Sequence, residues 1–269
     1  MPESPTTSVV VPYFNARATL GAALESLYAQ AVPATEILVV DDGSAVAPDD
    51  STLARMREHG VRLLRTENSG AAKARNYGAR MCRGDIVFFL DADDLWKPEL
   101  IGRVLEAFAR DNPAAVGFRH QWMTEDGRLM AFQNRHFPVI NLKLVIWKNP
   151  FGICFACRRE VFLKYGGLDE TQHLGEDSSL IFSLVAAGEK FASLDDVLYL
   201  YRKTKGSLTH QTGRYLISAC HLYGKYFRKS PPVLWPHVGV SFIRAILVTV
   251  LLPLREALIV RRPYRESAS

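Results

Sequence analysis

Residues 85–94 read Asp-Ile-Val-Phe-Phe-Leu-Asp-Ala-Asp-Asp, a run of five apolar residues that ends in an acidic cluster. Consecutive apolar residues rich in β-branched and aromatic types are typical of a strand that is buried on both faces. Such strands occur in parallel sheets that helices cover on both sides. The stretch therefore predicts an α/β fold in which a buried strand ends in carboxylates.

The same alternation of strand and helix recurs on the N-terminal side of this stretch. The predicted strands are Ser8–Pro12, Glu36–Val40, Val61–Arg65 and Asp85–Leu90, and the predicted helices are Asn15–Gln30, Leu53–His59, Ala71–Arg83 and Pro98–Arg110. Pro12 is expected to close the first strand, and Asn15 is expected to cap the first helix. Four strand–helix repeats predict a mostly parallel central sheet flanked by helices.

Beyond about residue 115 the pattern changes. Asp126-Gly127 predicts a hairpin turn, and it is followed by two predicted strands and four predicted helices. The strands are Ile153–Cys157 and Val197–Tyr201, and the helices are Arg159–Tyr165, Asp177–Ala187 and two C-terminal stretches, 213–228 and 238–260. Cys154 and Cys157 form a C-x-x-C pair, but within a buried strand they are expected to be core residues rather than metal or redox groups.

The chain has 269 residues, of which 48% are hydrophobic and 23% charged, as in ordinary globular proteins. This composition excludes a disordered chain, a collagen and a disulfide scaffold. The four cysteines fit a reducing compartment. The sequence lacks an apolar run of about 18 residues, and its N-terminus lacks the pattern of a secretory leader. We therefore expect a protein that stays in the cytoplasm.

The net charge of +5 is unevenly distributed, because residues 1–115 carry a net −4 and residues 201–269 a net +10. A basic tail behind an acidic body indicates a negatively charged surface as partner. The tail interleaves its cations with a long aliphatic segment, which suits an anionic membrane leaflet better than nucleic acid.

Two acidic clusters follow predicted strands of one sheet, Asp41-Asp42 and Asp91-Ala92-Asp93-Asp94. Ligands of such sheets bind beyond the carboxyl ends of the strands. Neighbouring carboxylates repel one another unless a cation offsets their charge, and hard oxygen ligands suit Mg²⁺ or Mn²⁺ bound together with substrate phosphates. The pattern predicts a metal-bridged diphosphate, with acidic turn formers as the alternative. The sequence contains neither the G-x-G-x-x-G of dinucleotide folds nor a P-loop.

Six blocks of sequence stand in an order that resembles the family 2 glycosyltransferases of the GT-A fold. They are residues 8–15, 39–44, 68–70 with 74–78, 89–94, 166–170 and 175–177. The resemblance covers about residues 8–210. It implies a glycosyltransferase domain over residues 1–212, with a nucleotide-sugar-binding half (8–115) and an acceptor-binding half (116–212), followed by a helical extension (213–269).

The resemblance implies an inverting transfer of sugar from a nucleotide-diphosphate sugar, such as a UDP-sugar, to a glycan or lipid-linked acceptor in cell-surface polysaccharide synthesis. Matching positions imply that Pro12 and Phe14 line the nucleotide pocket and that Asp42 accepts a hydrogen bond from the base. Lys73 would approach phosphate, and Asp91 would lie near the ribose. Asp93 would ligate Mn²⁺ or Mg²⁺ with Asp91 as a second candidate ligand, and Asp177 would be the general base beside Glu176. For Arg75, like Lys73, a solvated helix face is the alternative. For Glu176 and Asp177 the alternative is acids that favour a helix N-terminus.

One segment departs from the family pattern, because Thr204 stands where the family often has a histidine that assists the metal or diphosphate. Arg202 and Lys205 are then candidate diphosphate partners, and His210 is a nearby candidate ligand. The departure leaves open a catalytically degenerate domain that only binds a membrane or a partner. A phosphatase using Asp91 as nucleophile is disfavoured, because such enzymes place this strand first in the domain.

The C-terminal extension is expected to dock on the cytoplasmic face of a membrane. Its longest apolar run is too short to span about 30 Å of hydrocarbon, Arg244 and Pro253 interrupt its aliphatic segment, and cations flank it on both sides. These features favour a helix lying in the membrane interface. The alternative is that the helix packs on the transferase domain or on a second subunit.

Overall fold

The computed structural model describes residues 4–172, 175–203 and 212–260, with side chains described except in 212–216 and 248–260. One sheet of nine strands runs through the domain, and helices pack against it. The strands are β1 (Thr7–Tyr13), β2 (Glu36–Asp42), β3 (Arg62–Thr66), β4 (Ile86–Phe89), β5 (Leu95–Trp96), β6 (Ala115–Met123), β7 (Leu129–Gln133), β8 (Phe155–Arg158) and β9 (Phe191–Arg202).

The helices alternate with the strands in the first half and gather at the C-terminus. They are α1 (Arg17–Tyr28), α2 (Asp50–Glu58), α3 (Ala71–Met81), α4 (Leu100–Asp111), α5 (Leu142–Trp147), α6 (Arg159–Lys164), α7 (Glu176–Ala186), α8 (Thr212–Lys229) and α9 (Trp235–Val260). The four strand–helix repeats that the sequence predicts are all present, and so is the hairpin between β6 and β7.

The order of strands along the sheet is β3-β2-β1-β4-β8-β6-β9-β5, with β7 paired to β6. The first four strands are parallel, as the alternating pattern predicts. Beyond β4 the sheet is mixed, because β8 runs antiparallel to both β4 and β6 while β9 runs parallel to β6. The acidic clusters therefore end two strands of the parallel block.

Two local predictions in the first strand and helix are wrong. Pro12 does not end β1, which continues to Tyr13 opposite Asp41 of β2. Proline is tolerated there because β4 pairs only with the earlier residues of β1, so the missing N–H interrupts no ladder on that side. Asn15 does not cap α1; it has a φ of +51°, and its side-chain oxygen accepts the backbone N–H groups of Ala45 and Val46.

Two elements lack a recognisable pattern in the sequence. β5 has two residues and α5 has six, too short for a hydrophobic period to be detected. The core of the sheet includes Cys154 and Cys157, both buried, and burial raises the pKa of each thiol. Their assignment as core residues agrees with this placement.

The C-terminal helices pack on the domain rather than standing apart from it. Tyr226 of α8 stacks on Phe182 of α7 at 4.3 Å between ring centroids. Arg244 of α9 donates to the Trp147 carbonyl at 2.7 Å and lies over the ring of that tryptophan. Pro253 does not interrupt α9, which runs unbroken to Val260. Within the described residues, the length and hydropathy needed to cross a bilayer are not met by any helix.

Candidate active site

The first acidic cluster, at the end of β2, accepts several hydrogen bonds from the protein. Asp42 is 3% exposed, and its two carboxylate oxygens accept the backbone N–H groups of Ser69 and Gly70 at 2.9 and 2.8 Å. A third hydrogen bond comes from the Thr66 hydroxyl at 3.3 Å. A carboxylate has about four acceptor sites, so one remains for a ligand.

Asp41 is held in the same way, with different partners. One of its oxygens accepts the Ser44 N–H at 2.8 Å, and the other accepts Nη1 of Arg65 at 2.6 Å. The side chains of the β2 cluster thus fix the loop after the strand and the start of α3. The cluster forms a pre-shaped edge through N–H groups and Arg65, without requiring a metal ion.

Helix α3 connects this edge to the other acids. It begins after Gly70, whose φ of +97° is a conformation that favours glycine. Five residues later Arg75 is buried, with 4% exposure. It forms an ion pair with Asp91 and donates from Nη1 to Glu176 at 3.1 Å.

Arg75 therefore joins the end of β4 to the start of α7. Burial disfavours its charge, but Asp91 and Glu176 more than offset this and raise its pKa. The solvated-helix alternative is wrong for this residue. Lys73, two residues earlier, is exposed, and the structure leaves its predicted contact with phosphate untested.

Asp93 has the opposite environment to Asp42. Its side chain is half-buried, and among the described residues its carboxylate has no hydrogen-bond or ion-pair partner other than its own backbone N–H. Burial and the nearby charge of Asp91 raise its pKa to about 6. A partly desolvated carboxylate beside a second acid, without a protein cation of its own, is the donor chemistry that suits a divalent ion.

Asp94 completes the cluster as a buried structural group, with 1% exposure. Its oxygens accept the Tyr199 hydroxyl and the Arg202 backbone N–H, both at 2.7 Å. Burial, Asp93 and Asp91 raise its pKa. Since both oxygens have protein partners, Asp94 fits a structural role better than that of a metal ligand.

The second pair of acids lies at the start of α7. Burial and the neighbouring Asp177 raise the pKa of Glu176 to about 7, although Arg75 opposes the shift. Burial also raises the pKa of Asp177, and one of its oxygens accepts the Ser178 N–H at 2.7 Å. Its other oxygen lies beside Gly152, where an added Cβ would be 3.6 Å away.

The remaining predicted site residues have mixed positions. Pro12 is buried in β1, whereas Phe14 is 49% exposed just beyond the strand. Exposure leaves the Phe14 ring free to contact a planar ligand. Thr204, Lys205 and His210 lie outside the described residues.

The residues fit a divalent metal whose coordination is completed by substrate. Within the described part of the chain, no three His, Cys, Asp or Glu side chains form a ready-made metal cluster. Asp93 offers one carboxylate that protein partners leave unused, and Asp91 is already paired with Arg75. One or two carboxylates plus diphosphate oxygens is the usual environment of Mg²⁺.

Sequence reasoning missed two features of this site. The sequence identifies Arg75 as a cation but does not show that it links Asp91 to Glu176, because Glu176 lies 101 residues away in the sequence. Tyr199 was seen only as part of a strand, since a strand tyrosine carries no functional signal by itself. In neither case did residue type or spacing along the chain carry the information.

A family model described as Glycosyl transferase family 2 matches residues 8–166. An uncharacterized glycosyltransferase of Haemophilus influenzae is 32% identical over 184 residues, which are 66% of this chain and 61% of that protein. The succinoglycan biosynthesis protein ExoO of Rhizobium meliloti is 30% identical over 219 residues, 76% of this chain and 63% of that protein. The chain thus spans about three fifths of the length of these relatives.

Solved structures share the fold at low sequence identity. Residues 1–349 of S. aureus TarS superpose with a TM-score of 0.67 at 18% identity, covering 92% of this chain and 72% of that one. TarS in complex with UDP-GlcNAc gives 0.63, at 18% identity and with 90% and 81% covered. The mannosyltransferase PcManGT from Pyrobaculum calidifontis, in complex with GDP-Man and Mn²⁺, gives 0.65 at 21% identity, with 96% and 76% covered. These likenesses confirm the predicted GT-A architecture.

Proposed function

Because this chain belongs to glycosyl transferase family 2, we propose that it is a metal-dependent inverting glycosyltransferase. It moves a sugar from a nucleotide-diphosphate sugar, for which a UDP-sugar is our first candidate, to a hydroxyl group of an acceptor. The acceptor is a glycan or a lipid-linked sugar, and the product contributes to a cell-surface polysaccharide. The name of the ExoO relative and the nucleotide sugars bound by the structural neighbours support the substrate class but not its exact members.

A single observation carries the proposal: one buried arginine links the acidic turn that contains an unpartnered acid to a pair of acids whose pKa values are raised. Asp93 is the acid that lacks a protein partner, and Arg75 ties the adjacent Asp91 to Glu176. A donor diphosphate at Asp93 and an acceptor hydroxyl at Glu176-Asp177 would then meet at the edge of the sheet. Structural acids would instead be expected to have their own partners, as Asp42 does.

The metal would be held by Asp93 together with donor oxygens. When bound, a divalent cation neutralises the charge that develops on the departing nucleoside diphosphate. Asp91 serves first as the partner of Arg75, and the choice between Mn²⁺ and Mg²⁺ is open to experiment.

Asp177 is the proposed general base. Burial raises its pKa, which makes the carboxylate a stronger proton acceptor than an exposed aspartate. Its Oδ1 is held by the Ser178 N–H, so Oδ2 is the oxygen that accepts the proton of the acceptor hydroxyl. One base and a direct displacement invert the configuration at the sugar carbon.

We propose that the nucleotide binds along the edge formed by the β2 cluster. Asp42 keeps one acceptor position for a base N–H, and its three protein hydrogen bonds prevent the carboxylate from turning away. Pro12 and Phe14 flank this edge, and the exposed Lys73 on the first turn of α3 can approach phosphate.

The direct test is donor binding followed by turnover. We expect one of a panel of nucleoside diphosphates to raise the melting temperature of the full chain in the presence of Mn²⁺, by more than it does without metal. We also expect slow metal-dependent hydrolysis of the matching nucleotide sugar. Binding without any hydrolysis or transfer would favour the catalytically degenerate domain, and no binding by any nucleotide would refute the proposal.

We further propose that residues 213–269 contact the cytoplasmic face of a membrane, which would bring a lipid-linked acceptor to the site. On α9, Val240, Ile243 and Leu247 are each more than half exposed. Their spacing of three and four residues places them on one face of the helix. Val238 and Ser241 are buried on the opposite side, against the domain.

The charges near this face support the proposal only in part. Lys225, one of the cations that precede the aliphatic segment, forms an ion pair with Asp169 at 3.3 Å. Arg244 lies four residues after Val240 and three before Leu247, so it interrupts this apolar face as the sequence predicts, and its guanidinium donates to the Trp147 carbonyl. Arg228 and Lys229, in the last turn of α8, remain as candidates for contact with anionic headgroups.

Flotation with liposomes tests this part. The full chain should float with vesicles rich in anionic lipid at low salt, and the double variant Val240→Glu/Ile243→Glu should float much less. Val139→Glu changes an equally exposed apolar residue elsewhere and should leave flotation unchanged. If the full chain stays unbound, or if the double variant floats equally well, α9 packs only on protein.

A further inference from the structure

The turn that carries Asp93 is anchored at a distance from its own strand. Residues 91–94 form a tight turn, closed by the Asp94 N–H donating to the Asp91 carbonyl at 3.0 Å. The chain then enters β5, which pairs with β9 rather than with β4. Since β8 and β6 separate β4 from β9 in the sheet, the turn crosses the curled sheet to reach its second support.

The end of β9 holds this turn through the Tyr199 hydroxyl. The hydroxyl accepts the Asp91 N–H at 3.3 Å and donates to Asp94 at 2.7 Å. It thus fixes the two ends of the turn at once. Tyr199 is fully buried, so these hydrogen bonds do not compete with bulk water.

Arg202 holds the middle of the turn, three residues further along β9. Its Nε donates to the backbone carbonyl of Asp93 at 2.7 Å, and its Nη1 donates to the Glu125 carbonyl in the β6–β7 hairpin at 2.6 Å. Its own backbone N–H is accepted by Asp94 at 2.7 Å. The guanidinium is therefore committed to backbone atoms.

From this geometry we infer that Tyr199 and Arg202, through Asp94, are positioning residues that fix the Asp93 carboxylate for a divalent metal. The inference rests on the proposed function, because it assigns these residues to the metal-dependent step of donor binding. It also gives Arg202 a role different from that of a diphosphate partner. The Asp93 side chain receives no hydrogen bond from another described residue, only one from its own backbone N–H, so its location depends on the backbone that these two residues hold.

The test separates metal affinity from nucleotide affinity. Tyr199→Phe keeps the buried ring and removes only the hydroxyl that spans the turn. In calorimetric titrations of the full chain with the nucleoside diphosphate that the wild type binds, we expect the half-saturating Mn²⁺ concentration to rise by about three- to tenfold, the size expected for one lost positioning hydrogen bond. Nucleotide affinity at saturating Mn²⁺ should stay within about twofold of the wild type.

A matched control is Tyr165→Phe. Tyr165 follows the last residue of α6, and the variant removes a hydroxyl that donates to Glu189 at 2.8 Å. Its half-saturating Mn²⁺ concentration should equal that of the wild type. Arg202→Lys, which keeps the charge but loses the forked contact with Asp93 and Glu125, should shift the concentration in the same direction as Tyr199→Phe. It replaces Tyr199→Phe if that variant does not fold.

The outcomes distinguish the two levels of the argument. If the wild type binds nucleotide without any metal dependence, the proposed metal-dependent function fails. If the wild type depends on Mn²⁺ but Tyr199→Phe and Arg202→Lys keep its half-saturating concentration, only the positioning inference is overturned. An equal loss of nucleotide affinity with and without Mn²⁺ would also overturn it, because that result indicates a general loosening of the fold.

Discussion

The two acidic clusters end strands of the same parallel block, yet their hydrogen bonding is opposite. At the end of β2, both Asp41 and Asp42 have their oxygens occupied by backbone N–H groups and by Arg65 or Thr66. At the end of β4, Asp93 has no side-chain partner within the described structure, and its pKa is raised to about 6 by burial and Asp91.

The difference shows how one sequence signal can serve two purposes. A carboxylate whose oxygens accept hydrogen bonds from the protein holds the neighbouring backbone in place, and N–H dipoles stabilise its charge. An acid that the protein has partly desolvated and left unpaired costs stability unless a ligand offsets its charge. By this criterion the β2 cluster shapes the site, and within the β4 cluster Asp93 is the acid that fits our proposed cation site.

The largest expected effect concerns Asp177, the proposed proton acceptor. Arg75 links its neighbour Glu176 to Asp91 of the β4 cluster. Asp177→Asn keeps the shape but removes the base, so the rate of sugar transfer should fall by about 10²–10⁴-fold while donor binding persists. Steady-state transfer and calorimetric donor binding measure the two quantities. Glu176→Gln is the matched control, and a loss of less than tenfold for Asp177→Asn would move the role to Glu176.

The next effect concerns the link between the β4 cluster and α7. Arg75→Met leaves Asp91 and Glu176 without their shared buried cation, so we expect unfolding free energy to fall by about 3–5 kcal/mol at pH 7. Arg75→Lys, which keeps the charge but cannot donate to both acids with one planar fork, should lose less. Urea denaturation measures both variants. A loss below about 1 kcal/mol for Arg75→Met would show that the bridge is not a structural link.

A smaller effect compares the clusters themselves. Asp42→Ala leaves the Ser69 and Gly70 N–H groups without their acceptor and should cost about 2 kcal/mol of unfolding free energy. Asp93→Ala removes a carboxylate that has no protein partner, so metal-free stability at pH 7 should be unchanged or higher. Both are measured by urea denaturation in the presence of a chelator. If the two variants lost equal amounts of unfolding free energy, Asp42 and Asp93 would not differ in their structural role.

The smallest effect is a pH dependence from Glu176, whose pKa is raised from 4.5 to about 7 by burial and Asp177. The native state then binds this proton more tightly than the unfolded chain does. Its stabilising contribution is complete below about pH 4.5 and is lost as the pH rises through 7. The unfolding free energy of the wild type relative to Glu176→Gln should therefore fall as the pH rises from about 4.5 to about 8. A flat difference would mean that Glu176 has an ordinary pKa.

The strands and their acidic ends could be predicted from the sequence because both are local patterns. A run such as residues 86–90 specifies a buried strand by itself, and the topology rule for parallel sheets then places Asp42 and Asp91 at one edge. The family blocks extended this prediction to Glu176 and Asp177. Their roles as base and neighbour stay predictions.

The bonding state of each acid could not be predicted, because it depends on groups far apart in the chain. Asp42 accepts a hydrogen bond from the Gly70 N–H, whereas Asp93 accepts none from another described residue. Asp94 accepts its hydrogen bond from Tyr199, which lies 105 residues later in the chain. Pro12 shows the same limit at short range: it ends a strand only where both neighbours pair, and β4 stops pairing before it. Residue type indicated where charge collects, and tertiary contacts decide which charge is satisfied.

The central claim is that Asp93 is the acid kept for a metal, and metal-dependent nucleotide binding tests it most directly. Calorimetric titration of the wild type, Asp42→Ala and Asp93→Ala with a nucleoside diphosphate, each with Mn²⁺ and with chelator, gives the metal-dependent gain in affinity. We predict a gain for the wild type, a gain of similar size for Asp42→Ala on a weaker baseline, and none for Asp93→Ala despite an intact fold. An undiminished gain in Asp93→Ala would contradict the claim.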